Sequence, residues 1–578
     1  MTFNPGSPTP PSTITSASDA GRSGWGVFLL LRRLRRPLAV LISVYGVAVL
    51  GFTLIPGVDP QGQIWYMSFL DAFYFVSYLG TTIGLGEVPQ PFSGTQRLWA
   101  TAAIYGTVIS WLYAIGALFG VLQDPAFKRI RRESAMERAV RRIAEPFYLI
   151  CGYDDAGTRV AHELVENGAA LVVVDVVPAR TEMVEVDDMY SNVPALCADA
   201  SDPKSLVLAG LQSPHCAGVL ALTGEDFVNV KIALTAHLLA PKVPVLCAAR
   251  DHATHARMAA VGADHIINPF DNFAARVALS LRTPSLHVIY ESLTTQRGTA
   301  MDEVQQLPHG KWLLCGTGLF TSTLRRQLSR LKIEVVVIDP NCDTADADDD
   351  PDLFKGEPTD PAVLEKAGIA DAAALVAGTS EDVDNLTIIL AARALNKRLF
   401  LVARQTQRRN THVFRASPAN LVMLPGYLIA AEVLRVIRAP QLGNFLRQAR
   451  SQDEAWSAAL LEQMREVIGN EIVESWSIEL TDELAPSVCV AVDRGESFTL
   501  RRVMTRADAA GDLVDAVPLM LQRGQKRELT PTLDSVLRKG DRVLFCGNSR
   551  ARQIMRYSMM ALDSPWHEPA AGLVLSAK

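Results

Sequence analysis

The sequence predicts a multidomain fold: an α-helical two-span module, a duplicated α/β Rossmann-like lobe, and a small α+β domain at the C-terminal end. Three observations predict it. Apolar residues make up 49% of the 578, yet the long uncharged runs all lie before residue 125. A strand, glycine turn, helix and Asp-terminated strand occur in that order twice after residue 145. Beyond residue 470 short strand-like runs take over. A chain this long exceeds what one hydrophobic core serves. Its mean hydropathy of +0.14 is high for a soluble protein and low for a many-span transporter.

Residues 1–21 are rich in Ser, Thr, Pro and Gly, and are expected to be disordered. The module at 22–123 follows, with uncharged runs at 37–56 and 98–122. Each is about the ~20 residues that a spanning helix needs. A cleaved signal peptide is disfavoured, because no A-x-A-like site follows the first run and a second run succeeds it. Arg32, Arg33, Arg35 and Arg36 precede the first run, and Lys128, Arg129, Arg131 and Arg132 follow the second. The loop between carries only Asp59, Asp71, Glu87 and Arg97. The positive-inside rule then puts both termini in the cytoplasm of an integral inner (plasma) membrane protein.

Between the spans, an aromatic helix at 67–80 leads into 81–87, Thr81-Thr82-Ile83-Gly84-Leu85-Gly86-Glu87. Alternating glycines let backbone carbonyls turn inward, where they replace the hydration shell of a dehydrated cation. Irregular backbone at membrane depth is tolerated where it lines a water-filled path. Thr82, Ile83, Gly84, Leu85 and Gly86 are therefore read as an ion-conduction filter, and four copies around an axis would complete the ring as a homotetramer. The segment resembles the T-V-G-Y-G-D signature of potassium channels, which implies K+ as the permeant ion. Leu85 stands where that family has an aromatic ring, so a non-selective monovalent cation channel is the competing reading. Gly106 resembles the gating hinge of the family's inner helices; a helix-packing glycine is the other reading.

A linker at 124–145 precedes the two lobes, at 146–300 and 311–440. Phe147–Gly152 and Trp312–Gly316 are buried strands running into glycine turns, and the next strands end at Asp175 and Asp339. Both markers recur at an offset of 164 residues, which reads as a duplication. This is the mononucleotide-binding βαβ pattern, with a helix N-terminus for phosphate and a strand-end aspartate for ribose. The first copy reads Gly152, Asp154, Gly157, with a carboxylate in place of the middle glycine. The second reads Gly316, Gly318, Thr321, keeping the close-approach glycine, and is the better site.

The order of elements resembles the RCK or TrkA-N regulatory family. That resemblance implies NAD(H) or an adenine nucleotide as ligand, held by Gly316, Gly318, Thr321 and Asp339, and by Gly152, Asp154, Gly157 and Asp175. It adds Asp199 and its counterpart Glu357 on the nucleotide side. Gly262–Pro269 matches the family's G-A-D-x-V-I-x-P ending, which precedes a crossover helix. Calcium-gated members carry acids at the end of the fifth strand, and the matching segments here, 247–250 and 402–404, have none. The acidic run at 343–350 could attract a divalent cation, although a solvated loop is the commoner meaning. No metal site is assigned.

Residues 441–578 divide into a helical connector and a domain with strands expected at 476–480, 488–492 and 541–546. The phrase around Gly540 resembles a TrkA-C-type domain. The eight cysteines show no C-x-x-C and suit a reduced cytoplasmic core. No His, Lys or Tyr constellation beside either glycine turn suggests chemistry, so an enzyme such as a membrane-anchored NAD-dependent oxidoreductase is disfavoured. The expectation is a ligand-gated potassium channel in a lipid bilayer, with cytoplasmic lobes and no nucleic-acid partner.

Overall fold

A computed structural model describes residues 19–58, 62–83, 86–190, 192–294, 301, 304–341, 352–469, 471–495, 497–505 and 512–560. The chain divides into two compact units at Arg142 and Ile143. The first unit holds helices Asp19–Leu54, Phe69–Gly80, Gly94–Gln123 and Pro125–Arg141. Residues 19–21, expected to be disordered, open the first helix; 1–18 lie outside the described residues. That helix stops at Leu54 rather than running to Pro56, because the residue before a proline is pushed out of the α region. The third starts at Gly94, four residues before the expected Leu98. A capping box explains the extension: Ser93 accepts from Gln96 N–H while the Gln96 side chain returns to Ser93 N–H.

Two segments, Leu34–Leu54 and Gly94–Gln123, are long and apolar enough to cross a membrane. Only 22% and 17% of their most apolar stretches are buried within the chain. Ile42, Val47, Leu50, Leu54, Ile109 and Leu112 are all more than half exposed, which leaves an extended apolar surface on the two helices. The unit's core is aromatic: Phe75 lies edge-on to Phe52 and Phe92, each with centroids 4.8 Å away. Gly51 is required beside it, since a Cβ there would sit 2.1 Å from the Trp99 indole.

In the second unit, each lobe is a six-stranded, all-parallel sheet. Counting strands in chain order, both have the spatial order 3-2-1-4-5-6. The expected duplicated Rossmann-like lobes are therefore present. Strands Phe147–Cys151 and Trp312–Cys315 are central, and buried on both faces, as their unbroken apolar runs require.

The lobes exchange helices. Helix Pro269–Arg282, which leaves the first sheet, packs Phe270, Phe273, Ala274 and Val277 against Phe320, Leu324 and Leu328 of the second. Helix Pro425–Arg438 returns the exchange, setting Ile429, Ala430, Val433 and Leu434 against Ala156, Val160 and Leu164. Each lobe's core is thus completed by the other's helix.

The C-terminal part is a four-stranded antiparallel sheet formed by Glu474–Glu479, Ala516–Arg523, Lys526–Leu529 and Arg542–Gly547. One face carries Val517, Leu519 and Leu544 against the connector helices, and the other carries Trp476, Ile478 and Phe545. The expected strand at 488–492 is instead part of helix Pro486–Asp493. Its apolar run suits either state, and Pro486 at the first helical turn decides.

Candidate functional site

Helix Phe69–Gly80 points its C-terminus at the glycine-rich loop. Thr81 N–H bonds to Ser77 O, Thr82 N–H to Leu79 O, and Ile83 N–H to Tyr78 O. Thr82 has φ 59° and Gly86 φ 90°, so the loop enters and leaves through the left-handed region. Gly84 and Leu85 lie outside the described residues. The Tyr78 hydroxyl donates to the Gly86 carbonyl at 2.5 Å. Beyond the loop, Glu87 accepts from Arg97 at 2.8 Å and from Phe92 N–H at 2.8 Å. This bracing from Tyr78 was missed in the sequence, where only position 85 was weighed. Gly106 faces the first span: a Cβ there would lie 3.4 Å from Val44 Cγ1, an ordinary packing contact.

The second lobe presents an open cradle. Gly316, at φ 98°, turns the chain from strand to helix. Gly318 is the N-cap of helix Leu319–Arg330, with no side-chain capping hydrogen bond to its amide groups. Among the described residues, a Cβ at Gly318 would meet nothing within 4 Å, which leaves room beside the helix N-terminus. Asp339 lies at the adjacent strand end, where Oδ2 accepts from Thr317 N–H and Oγ1 and Oδ1 from Asn341 N–H. A carboxylate has about four acceptor positions, which leaves one for a ligand hydroxyl. Thr321 is buried and donates to Gly318 O, inside the turn rather than toward a ligand.

The first lobe's cradle is already filled. Asp154 caps helix Asp155–Glu166, its Oδ1 accepting from Ala156 and Gly157 N–H at 3.1 and 3.5 Å. The carboxylate stands where a phosphate would sit. Burial pushes its carboxyl up, and the capped amides work against that. Gly157 is needed for the close turn, since a Cβ there would lie 2.0 Å from Gly152 O. Asp175 is buried, bonded to Tyr153 and Val177 N–H, and carries Arg180 on Oδ2 at 3.2 Å.

Asp199 and Glu357 are exposed and fold onto their own turns, through Ser201 and Thr359. The acidic run 343–350 and Cys342 lie outside the described residues. Among the described cysteines none is paired, and burial pushes Cys216 up to about 11 and Cys247 up to about 12, so these stay protonated.

Two further features carry the clefts. Asn229 and Asn385 bind the loop after the fourth strand identically, accepting from Thr223 and Thr379 and donating to Ala248 O and Arg404 O. A second exchange leaves no sign in the sequence: where the first lobe has Gly157 and Leu222 the second has Thr321 and Gly378, and a Cβ at Gly378 would strike Thr321 Cγ2 at 2.3 Å. Bulk lost on one side of the turn is regained on the other.

The TrkA-N domain family model matches at residues 148–269 and again at 312–425. Potassium channel protein 1 of Methanocaldococcus jannaschii is 25% identical over 203 residues, 35% of this chain and 59% of that protein. The voltage-gated potassium channel Kch of Escherichia coli is 23% identical over 229 residues, 39% of this chain and 51% of that one. The chain thus spans little more than half the length of these relatives. Among solved structures, the GsuK channel bound to NAD is similar at 17% identity, with a TM-score of 0.42, over 93% of this chain and 99% of that one.

Proposed function

For a chain that carries tandem TrkA-N domains and is related to potassium channel proteins, we propose a potassium channel subunit gated by a nucleotide. Its two apolar helices would span the inner (plasma) membrane, with the lobes in the cytoplasm and four copies closing one pore. Loop 81–87 would supply the filter, and the bracing by Tyr78 and by the Glu87–Arg97 pair supports potassium selectivity despite Leu85. The ligand would be NAD(H) or an adenine nucleotide. It would bind the second lobe, with its phosphate on the amides after Gly318 and its ribose on Asp339.

The observation that carries the nucleotide reading is the contrast between the two cradles: Gly318 leaves its helix N-terminus open, while Asp154 closes the other. A helix N-terminus attracts a phosphate through its free amides and dipole. Binding can gate the pore only if the ligand favours one arrangement of the lobes over the other. Titration of the full-length protein with NAD and ADP tests this. About one site per chain is expected, lost in Asp339→Ala; two equal sites, or binding unchanged in that variant, would overturn the assignment.

A further inference from the structure

Helix Pro125–Arg141 begins two residues after helix Gly94–Gln123, the second helix of span length, and packs against it and against helix Asp19–Leu54. Residues 125–142 hold seven Lys and Arg against two Glu, in a chain whose net charge is -6. That charge is ordered along the helix. Arg131 and Arg138 lie seven residues apart and Arg142 four further on, which puts them on one stripe, with Arg132 beside it. All four are exposed, while Met136 and Val140, off that stripe, are buried.

The acids of this helix do not neutralise the stripe. Glu137 is taken by Arg141 at 2.9 Å, and Arg138 spends its Nε on Ser134 O at 3.0 Å. Among the described residues, Arg131, Arg132 and Arg142 have no acid partner. The positive-inside rule asks only for a number of basic residues near the end of a span. It does not require a single stripe about 16 Å long, at ~1.5 Å per residue. Guanidiniums carry several donors each and match phosphate oxygens. Beside a span, roughly four to eight basic residues attract the headgroups of anionic lipids.

We propose that Arg131, Arg132, Arg138 and Arg142 form a docking face for the headgroups of anionic phospholipids, in the leaflet from which the helix emerges. The proposal rests on the reading of 34–54 and 94–123 as membrane spans. It concerns the segment that joins the second span to the first lobe along the chain, and neither nucleotide cleft. Anionic headgroups hold this segment to the bilayer surface, so the lipid composition of the leaflet sets how firmly it is held.

The test titrates full-length protein in non-ionic detergent with chain-labelled phosphatidylglycerol or phosphatidylcholine, followed by fluorescence anisotropy. Phosphatidylglycerol is expected to bind at least about tenfold tighter at low salt, and the difference to vanish near ~1 M salt, where charges are screened beyond about 3 Å. The variant carrying Arg131→Gln, Arg132→Gln, Arg138→Gln and Arg142→Gln is expected to bind both lipids alike; all four side chains are exposed, so the substitutions spare the core. Equal binding of the two lipids by the wild type, or a preference that the variant keeps in full, would overturn the face. Displacement of the bound lipid by inorganic phosphate, at an ionic strength where chloride leaves it in place, would overturn it too, in favour of a free-phosphate site. Extraction of the chain from vesicles by alkaline carbonate would overturn the spans and the face together, whereas retention with no lipid preference overturns the face alone.

Discussion

Tyr78 reaches from helix Phe69–Gly80 to the Gly86 carbonyl of the glycine-rich loop, and a single hydroxyl supplies the contact. Removing it in Tyr78→Phe keeps the ring in the aromatic core and deletes only the hydrogen bond. One such bond contributes about 0.5–1.5 kcal/mol, up to about tenfold in an equilibrium. The expected outcome is a potassium-over-sodium permeability ratio several-fold lower, read from reversal potentials; an unchanged ratio would remove Tyr78 from the filter's support. Asp154 acts at the same scale. In Asp154→Gly the helix loses its cap at a cost of a few tenths of a kcal/mol, and the first cradle opens. Titration with ADP is expected to show binding rising from about one toward two per chain, and no added site would mean that Asp154 is not what keeps the cleft shut.

At the scale of elements, the glycine turns show compensating bulk across strand and helix. Gly378→Ala should cost about 1–3 kcal/mol by overpacking, because its Cβ would overlap Thr321 Cγ2. Adding Thr321→Gly should recover more than half, and thermal unfolding of the single and double variants measures the coupling. Additive losses would show that the two positions do not share one space. Much at this scale was readable beforehand. The two lobes were legible because buried parallel strands leave unbroken apolar runs, and because the 164-residue offset kept Gly152 and Gly316 in register with Asp175 and Asp339. The helix at 486–493 was not, since a short run buried all round has no period to read. The Gly157–Thr321 exchange was invisible because Leu222 and Gly378 lie more than 50 residues away in sequence. Tyr78 was hidden in a helix whose every aromatic residue looked alike.

At the scale of the whole chain, the exchanged helices bind the two lobes through shared cores, and their two clefts are unequal. Helix Pro269–Arg282 fills the second core and Pro425–Arg438 the first, so a shift of one lobe must disturb both. That coupling is what a ligand in a single cleft needs in order to act on the assembly. The most direct measurement is single-channel recording of the purified protein in a planar bilayer, with NAD or ADP added to the side facing the lobes. The account predicts a potassium-selective conductance whose open probability changes with nucleotide in the wild type and not in Asp339→Ala. Absence of any potassium conductance, with or without nucleotide, would contradict it.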